Sequence, residues 1–227
     1  MRAIVFGLLP PLASLPLLTA CGGPSVGEIV EQEVTLTLSA YSSDSSQVAV
    51  GEPQGGLGVT RAFVAASALS LVPCAEGASS IVLDARGYDL LTNPSEGVTT
   101  AVTNLCAIEL DLDPVDGAAT PGVPDGATLF VRARDSADTS LHFSSERSTS
   151  LRFEAADKDG FPSSSLILGF DVATWLAHLP IAEPGMSDVE SDLLYDQLPG
   201  SVTLFVDANL NQELDDDETT PIAAVSR

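Results

Sequence analysis

Positive charge is what this chain has least of. It carries 9 Lys+Arg against 32 Asp+Glu over 227 residues, a formal net charge of −23, and Lys158 is its single lysine. Nucleic acid is excluded as a partner, because phosphate binding needs a basic surface. A bare anionic lipid surface would likewise repel it unless divalent cations intervene. Aromatics are also scarce, at 5%, with one tryptophan, Trp175. A sugar platform built on stacked rings therefore has little to draw on: Trp175 falls on the apolar stripe of a predicted helix, and Tyr41, Tyr88 and Tyr195 are scattered. Histidines number 2, His142 and His178, and cysteines 3, with no Cys/His cluster of zinc-ligand spacing. There is no G-x-S-x-G, no H-E-x-x-H and no phosphate-cradling glycine loop, so no catalytic residues are assigned and the chain is not expected to be an enzyme.

Hydrophobic residues, at 44%, are enough for a real core. They alternate with polar ones. "QEVTLTLSA" sets Val34, Leu36, Leu38 and Ala40 on one face with Thr35 and Thr37 on the other, the period of a half-buried strand. "SIVLDA", "CAIELDLD", "TLFVRARD", "TSLHFSS", "TSLRFEA", "SLILGFD" and "SVTLFVD" repeat that pattern, and "PIAAVSR" suits a final edge strand. Gly/Pro-rich turn material separates the runs, including "DKDGFP" around Asp157–Gly160. "VTRAFVAASALSLVP" reads as a strand pair or one bulged strand. Two short helices interrupt the rhythm. One follows Asp171 as N-cap, with Val172, Trp175, Leu176 and Leu179 on its stripe before Pro180. The other opens on a Ser187–Glu190 capping box, buries Val189, Leu193, Leu194 and Leu198, and ends at Pro199-Gly200. Short strands without a βαβ alternation predict a mainly β fold, an antiparallel β-sandwich with two short helices, forming a single domain over 32–227.

The N-terminus has the order of a secretory signal: Arg2, an apolar run "AIVFGLLPPLASLPLL", then small residues. Pro10, Pro11 and Pro16 make it a poor membrane span. It ends in Leu18-Thr19-Ala20-Cys21, which resembles the lipobox of bacterial lipoproteins. The resemblance implies cleavage after residue 20, acylation of Cys21, and a membrane partner reached through the lipid anchor. Several acyl chains give stable anchoring where one would not. Gly22 rather than Asp follows the cysteine, which in that family favours the outer membrane; the facing side of the envelope stays open. Residues 21–31, including "GGPSVGE", then form a flexible tether. In an exported chain Cys74 and Cys106 form the default disulfide, two buried free thiols being the alternative.

Near the C-terminus stands "DANLNQELDDDE", Asp207 to Glu218. Its spacing resembles EF-hand-type calcium loops, and also the calcium loops of B-type repeat domains in bacterial surface adhesins. Such loops take oxygen ligands at positions 1, 3, 5, 7 (a carbonyl), 9 and 12. The resemblance assigns these to Asp207, Asn209, Asn211, Glu213, Asp215 and Glu218, with calcium as cofactor and apolar Leu214 turned inward. Gln212 occupies the place of the usual turn glycine, where Asn211 beside it would tolerate a left-handed conformation. The competing reading is a solvated acidic hairpin. The functional expectation is a monomeric, lipid-anchored structural or binding module of the cell envelope, stabilised by calcium. A lipoprotein that binds a glycan or an envelope protein is the alternative, and an envelope hydrolase the third.

Overall fold

The computed structural model describes residues 32–53, 56–91, 98–114, 121–177, 188–190, 192–215 and 217–226. The predicted signal segment 1–20, Cys21, the tether 21–31, His178, Leu179 and Ser187 lie outside the described residues.

Among the described residues two sheets enclose the main hydrophobic core, and a smaller separate cluster gathers Phe63, Ala65, Ala127 and Phe130. The first has the order β14 (Ala223–Ala224), β13 (Val202–Val206), β11 (Ser165–Asp171), β1 (Gln32–Tyr41), β6 (Val98–Val102). The second has the order β10 (Thr149–Glu154), β7 (Leu105–Leu112), β3 (Leu57–Pro73), β8 (Leu129–Arg134), β9 (Ser140–Ser145), β12 (Asp188–Glu190). Three short strands, β2 (Val48–Val50), β4 (Ile81–Leu83) and β5 (Arg86–Asp89), pair with β3 outside that order. The β-sandwich expected from the alternation is what the chain builds.

The alternating runs land as strands with the expected side inward. Val34, Leu36 and Leu38 of β1 are buried, as are Ile108, Leu110 and Leu112 of β7. The long "VTRAFVAASALSLVP" run resolves as one strand, β3, with register shifts between Val59/Arg61, Ala66/Ala68 and Val72/Pro73. Those bulges bend it so that its first half pairs with β8 and its second with β7.

Most ladders are antiparallel, but β1 runs parallel to β11, β2 to β3 and β12 to β9. The first of these pairs joins segments far apart in the chain, so no hairpin turn dictates its direction. β11 is buried along its whole length, and its outer face is covered at Gly169. A Cβ there would lie 2.7 Å from the Phe205 ring and 3.1 Å from the Tyr41 ring, so only glycine admits both. Those rings meet edge to face at 5.6 Å.

Helix α1 (Val172–Leu176) is capped by Asp171, which accepts the Ala173 N–H. Trp175 on α1 is fully buried against Phe170, with ring centroids 5.7 Å apart. Helix α2 (Asp192–Ser201) corrects the sequence reading at both ends. The capping-box segment Asp188–Glu190 is taken by β12, which hydrogen-bonds beside His142–Ser144 of β9. The helix therefore starts at Asp192. It also runs through Pro199 to Ser201. Leu194 and Leu198 are buried as expected, while Leu193 is 41% exposed.

Cys74 and Cys106 form the disulfide, with Cα atoms 4.8 Å apart. Beside it the chain crosses from the first sheet to the second at Thr103-Asn104, where Asn104 adopts φ 38 and its carbonyl takes the Cys74 N–H. "DKDG" is a turn: Gly160 N–H donates to the Asp157 carbonyl at 3.1 Å. Gly160 has φ +97, and a Cβ would meet the Leu105 carbonyl at 2.7 Å and the Cys74 Sγ at 3.1 Å. Among the described residues no helix is long and apolar enough to cross a membrane.

Candidate functional site

The loop begins where β13 stops. Asp207 extends the ladder by one bond, its N–H reaching the Ser165 carbonyl at 3.1 Å, and its side chain is only 1% exposed. A carboxylate buried this far must have its lone pairs met. Ser165 Oγ donates to Asp207 Oδ2 at 2.9 Å; the N–H groups of Asn211 and Gln212 supply two more bonds, at 3.1 and 3.2 Å. Side chains downstream repeat the motif: Asn209 Oδ1 accepts the Asn211 N–H at 2.9 Å, and Asn211 Oδ1 the Glu213 N–H at 2.8 Å.

Such tight winding needs left-handed residues. They are Leu210 (φ 62) and Gln212 (φ 64), not the expected Asn211. Asn211 instead uses its side chain as a turn acceptor, which leaves the positive φ to its neighbours. Leu210 is 71% exposed, while Leu214 is half-buried.

The far end closes on the near end. Glu218, 6% exposed, accepts the N–H groups of Ala208 (2.6 Å) and Asn209 (3.2 Å) on Oε1, and that of Asp215 (3.4 Å) on Oε2. Asp215 Oδ2 accepts the amide groups of Asn209 (2.7 Å) and Asn211 (2.8 Å). One network thus joins Asp207, Asn209, Asn211, Asp215 and Glu218. Glu213 enters it through its N–H, and its side chain is exposed. Asp216 lies outside the described residues.

Among the described residues no three His, Cys, Asp or Glu side chains are grouped as a metal-ligand set. In this loop the two asparagine amides stand between the acids, N–H toward Asp215. Half a turn of each amide group would present oxygen in place of nitrogen, at the loss of the Asn211 and Glu213 N–H bonds that their Oδ1 atoms now accept. The donors would then all be hard oxygens, the set that suits calcium rather than zinc or copper.

His142 belongs to no such cluster. It sits on β9, bonded to Ser140 Oγ at 3.0 Å and edge-on to Phe130 at 6.0 Å. Among the described residues no aromatic is a largely exposed apolar side chain; those are Val50, Val82, Leu193 and Leu210. Trp175, the sequence's one tryptophan, is unavailable as a sugar platform.

A separate concavity of about 570 Å³ opens at the α1 end of the sandwich. Its polar walls come from the β1–β2 connection (Ser43, Asp44, Gln47) and the β8–β9 turn (Asp135, Ser136), and its floor includes Val48, Leu57 and Leu176. Asp171 fixes one wall to the helix: its carboxylate takes the Ser43 N–H and hydroxyl at 3.0 and 2.6 Å and the Thr174 hydroxyl at 2.6 Å. Asp135 Oδ1 accepts the N–H groups of Thr139 (2.8 Å) and Ala137 (2.9 Å); these bonds, that of Thr139 first, together with the Thr139 hydroxyl, hold its carboxyl below the usual carboxylate range. Sequence reasoning missed this site, since its residues come from four separated segments and form no motif.

The structure thus defines a disulfide-bridged β-sandwich with a carboxylate-closed loop after its penultimate strand. No protein-family model matches the chain, and no curated protein matches it. Among solved structures it is similar to MbnP from Methylosinus trichosporium, at TM-score 0.42 and 8% identity, over 72% of this chain and 82% of that one. A likeness that distant carries no functional meaning.

Proposed function

We propose that this chain is a lipid-anchored protein of the bacterial cell envelope whose β-sandwich serves as a structural or binding module stabilised by calcium. The anchor reading rests on Leu18-Thr19-Ala20-Cys21. The calcium reading rests on one observation: the carboxylates of Asp207 and Glu218, at the two ends of a twelve-residue stretch, are both buried and turned into the same loop. A solvated acidic hairpin would leave them in water; here three hydrogen bonds draw each carboxylate inward, and a cation would offset the like-charge repulsion that remains. Five acids occupy the described part of 207–218 (Asp207, Glu213, Asp215, Asp217, Glu218), and the stretch has no Lys or Arg to neutralise them.

Calcium would be held by Asp207, Asn209, Asn211, Asp215 and Glu218 together with the Glu213 carbonyl. Extracellular sites of this sort bind with dissociation constants of roughly 10⁻⁴–10⁻³ M. Calorimetric titration of the purified protein with calcium should give one site in that range, and Glu218→Gln should weaken it at least tenfold. Calcium heats indistinguishable from those of buffer would overturn the reading.

A further inference from the structure

We propose that the end of the sandwich at which β1 begins is a docking surface for a lipid bilayer, seated on it when calcium fills the 207–218 loop. The proposal rests on the anchor and calcium readings and names the partner of that loop.

Strand register fixes what shares this end. β1 starts at Gln32, opposite Val102 at the end of β6, and its Thr35 pairs with Ser165 at the start of β11. Leu166 in turn pairs with Val206, the last residue of β13, so the loop projects beside the start of β1. Only Thr103 and Asn104 separate β6 from β7, whose Leu105 opposes Pro73 at the end of β3. The start of β1, the acidic loop and the Cys74–Cys106 bridge therefore lie at one end. Helix α1 and the concavity lie at the other, where β1 and β11 finish at Tyr41 and Asp171.

Exposed apolar side chains gather at the first end. Leu210, at 71%, and Val82, at 61%, are the most exposed large hydrophobics among the described residues. Leu210 is on the loop that follows the first sheet; Val82 of β4 belongs to the second and opposes Ser70, close to where β3 ends. One exposed leucine on a surface needs no explanation. Two such side chains from different sheets, both near the strand that continues the anchor, form a pattern. The single lysine, Lys158, is exposed on the β10–β11 turn at the same end.

Charge sets the condition for docking. Asp157 and Asp159 flank Lys158, Glu76 stands near the disulfide, and the loop adds its own acids. Anionic headgroups repel such an end. A divalent ion in the loop offsets that charge where Leu210 emerges, and lets the leucine enter the headgroup boundary. The anchor makes so small a contact sufficient. A flexible coil of the length of residues 21–31 spans roughly 20 Å, and a tether that short holds this end at an effective concentration on the order of millimolar. Burying one leucine favours the docked state by roughly tenfold or more, which is too little for a free protein and enough for an anchored one.

The test uses the acylated full chain in vesicles of phosphatidylcholine and phosphatidylglycerol, with a polarity-sensitive nitrobenzoxadiazole label on one introduced cysteine. Calcium should raise emission from a label at Leu210→Cys at least twofold, and nitroxide-bearing lipid should quench it. Val82→Cys should respond in the same direction. Val50→Cys, beside the start of β3 at the opposite end, should not change. Adding Glu218→Gln to the Leu210→Cys protein should abolish the response. Calorimetric calcium titration of the same labelled protein separates the two readings. Calcium binding without a change at position 210 overturns docking and leaves the calcium loop standing, whereas no binding overturns both. A rise at position 50 equal to that at 210, or one that survives Glu218→Gln, would assign the effect to general bridging of acidic protein to lipid and overturn the proposal.

Discussion

Glu218 Oε1 lies 2.6 Å from the backbone nitrogen of Ala208, ten residues earlier, so the last acid of the loop holds down its first turn. The bond matters because a cation at the loop centre needs Asp207 and Glu218 near each other before it arrives. Calcium should therefore raise thermal stability by an amount set by its concentration over the dissociation constant. At ten times that constant the gain is about 1.4 kcal/mol, a few degrees for a domain of this size. Glu218→Gln keeps an oxygen for Ala208 and removes the charge, so it should preserve the fold while abolishing most of the calcium-induced shift. Asp157→Asn, in an exposed turn on another loop, should retain it. Equal losses from both would assign the effect to general screening of an acidic protein.

That Asp207, Asn209, Asn211, Asp215 and Glu218 share one loop was legible because their spacing is a local property of the chain. The loop's winding was not: the left-handed residues are Leu210 and Gln212, and neither type advertises positive φ. The same contrast holds across the fold. Strands with period-two alternation, such as Leu105–Leu112, could be read directly. β2, β5 and β12 could not, being three or four residues long and, in "RGYD", made of turn-like residues. Thr37 was expected on a solvent face and is 1% exposed, because the outer face of β1 is covered by contacts that arise only in three dimensions. The parallel pairing of β1 with β11 is non-local in the same way.

Cys21 ends a stretch that resembles a lipobox. Protein purified from native membranes should have an intact mass matching a chain that starts at Cys21 and carries acyl groups. Cys21→Ala should appear in the soluble fraction. Unmodified, soluble wild-type protein from the native host would sink the assignment.

Gly160 packs its backbone against the Cys74–Cys106 bridge. The bridge closes a sequence separation of 32 residues, which by loop entropy contributes roughly 3–4 kcal/mol. Reduction should lower the melting temperature accordingly. Gly160→Ala should destabilise by about 1–3 kcal/mol, since it combines a positive φ with a Cβ forced onto the Leu105 carbonyl. Denaturant unfolding of oxidised and reduced forms measures both; a Gly160→Ala midpoint equal to wild type would contradict the packing described.

Tyr41 titrates above its ordinary value of 10.0, first because burial disfavours the phenolate and second because Asp171 is nearby. For a folded pKa raised above the unfolded one, the stability it contributes is fully present below about pH 10 and is lost as pH rises through the folded value. Alkaline unfolding should therefore begin in that window. Tyr41→Phe keeps the ring against Phe205 and removes the ionisable group, so its stability should fall less steeply above pH 10. Parallel alkaline profiles for the two proteins would remove Tyr41 as the cause.

Trp175 donates its indole N–H to Ser201 Oγ, and the Ser201 hydroxyl in turn donates to the Leu198 carbonyl at 2.9 Å. The tryptophan is 0% exposed and the serine 1%, so no water can replace either partner. Ser201→Ala should leave the indole N–H buried and unmet, a loss of about 1–3 kcal/mol. Combining it with Trp175→Phe, which removes the orphaned donor as well, should cost less than the sum of the two single changes, because both delete the same bond. Denaturant unfolding followed by circular dichroism gives the four free energies of this cycle. Strict additivity would mean that the bond contributes nothing and that α1 is held to α2 by packing alone.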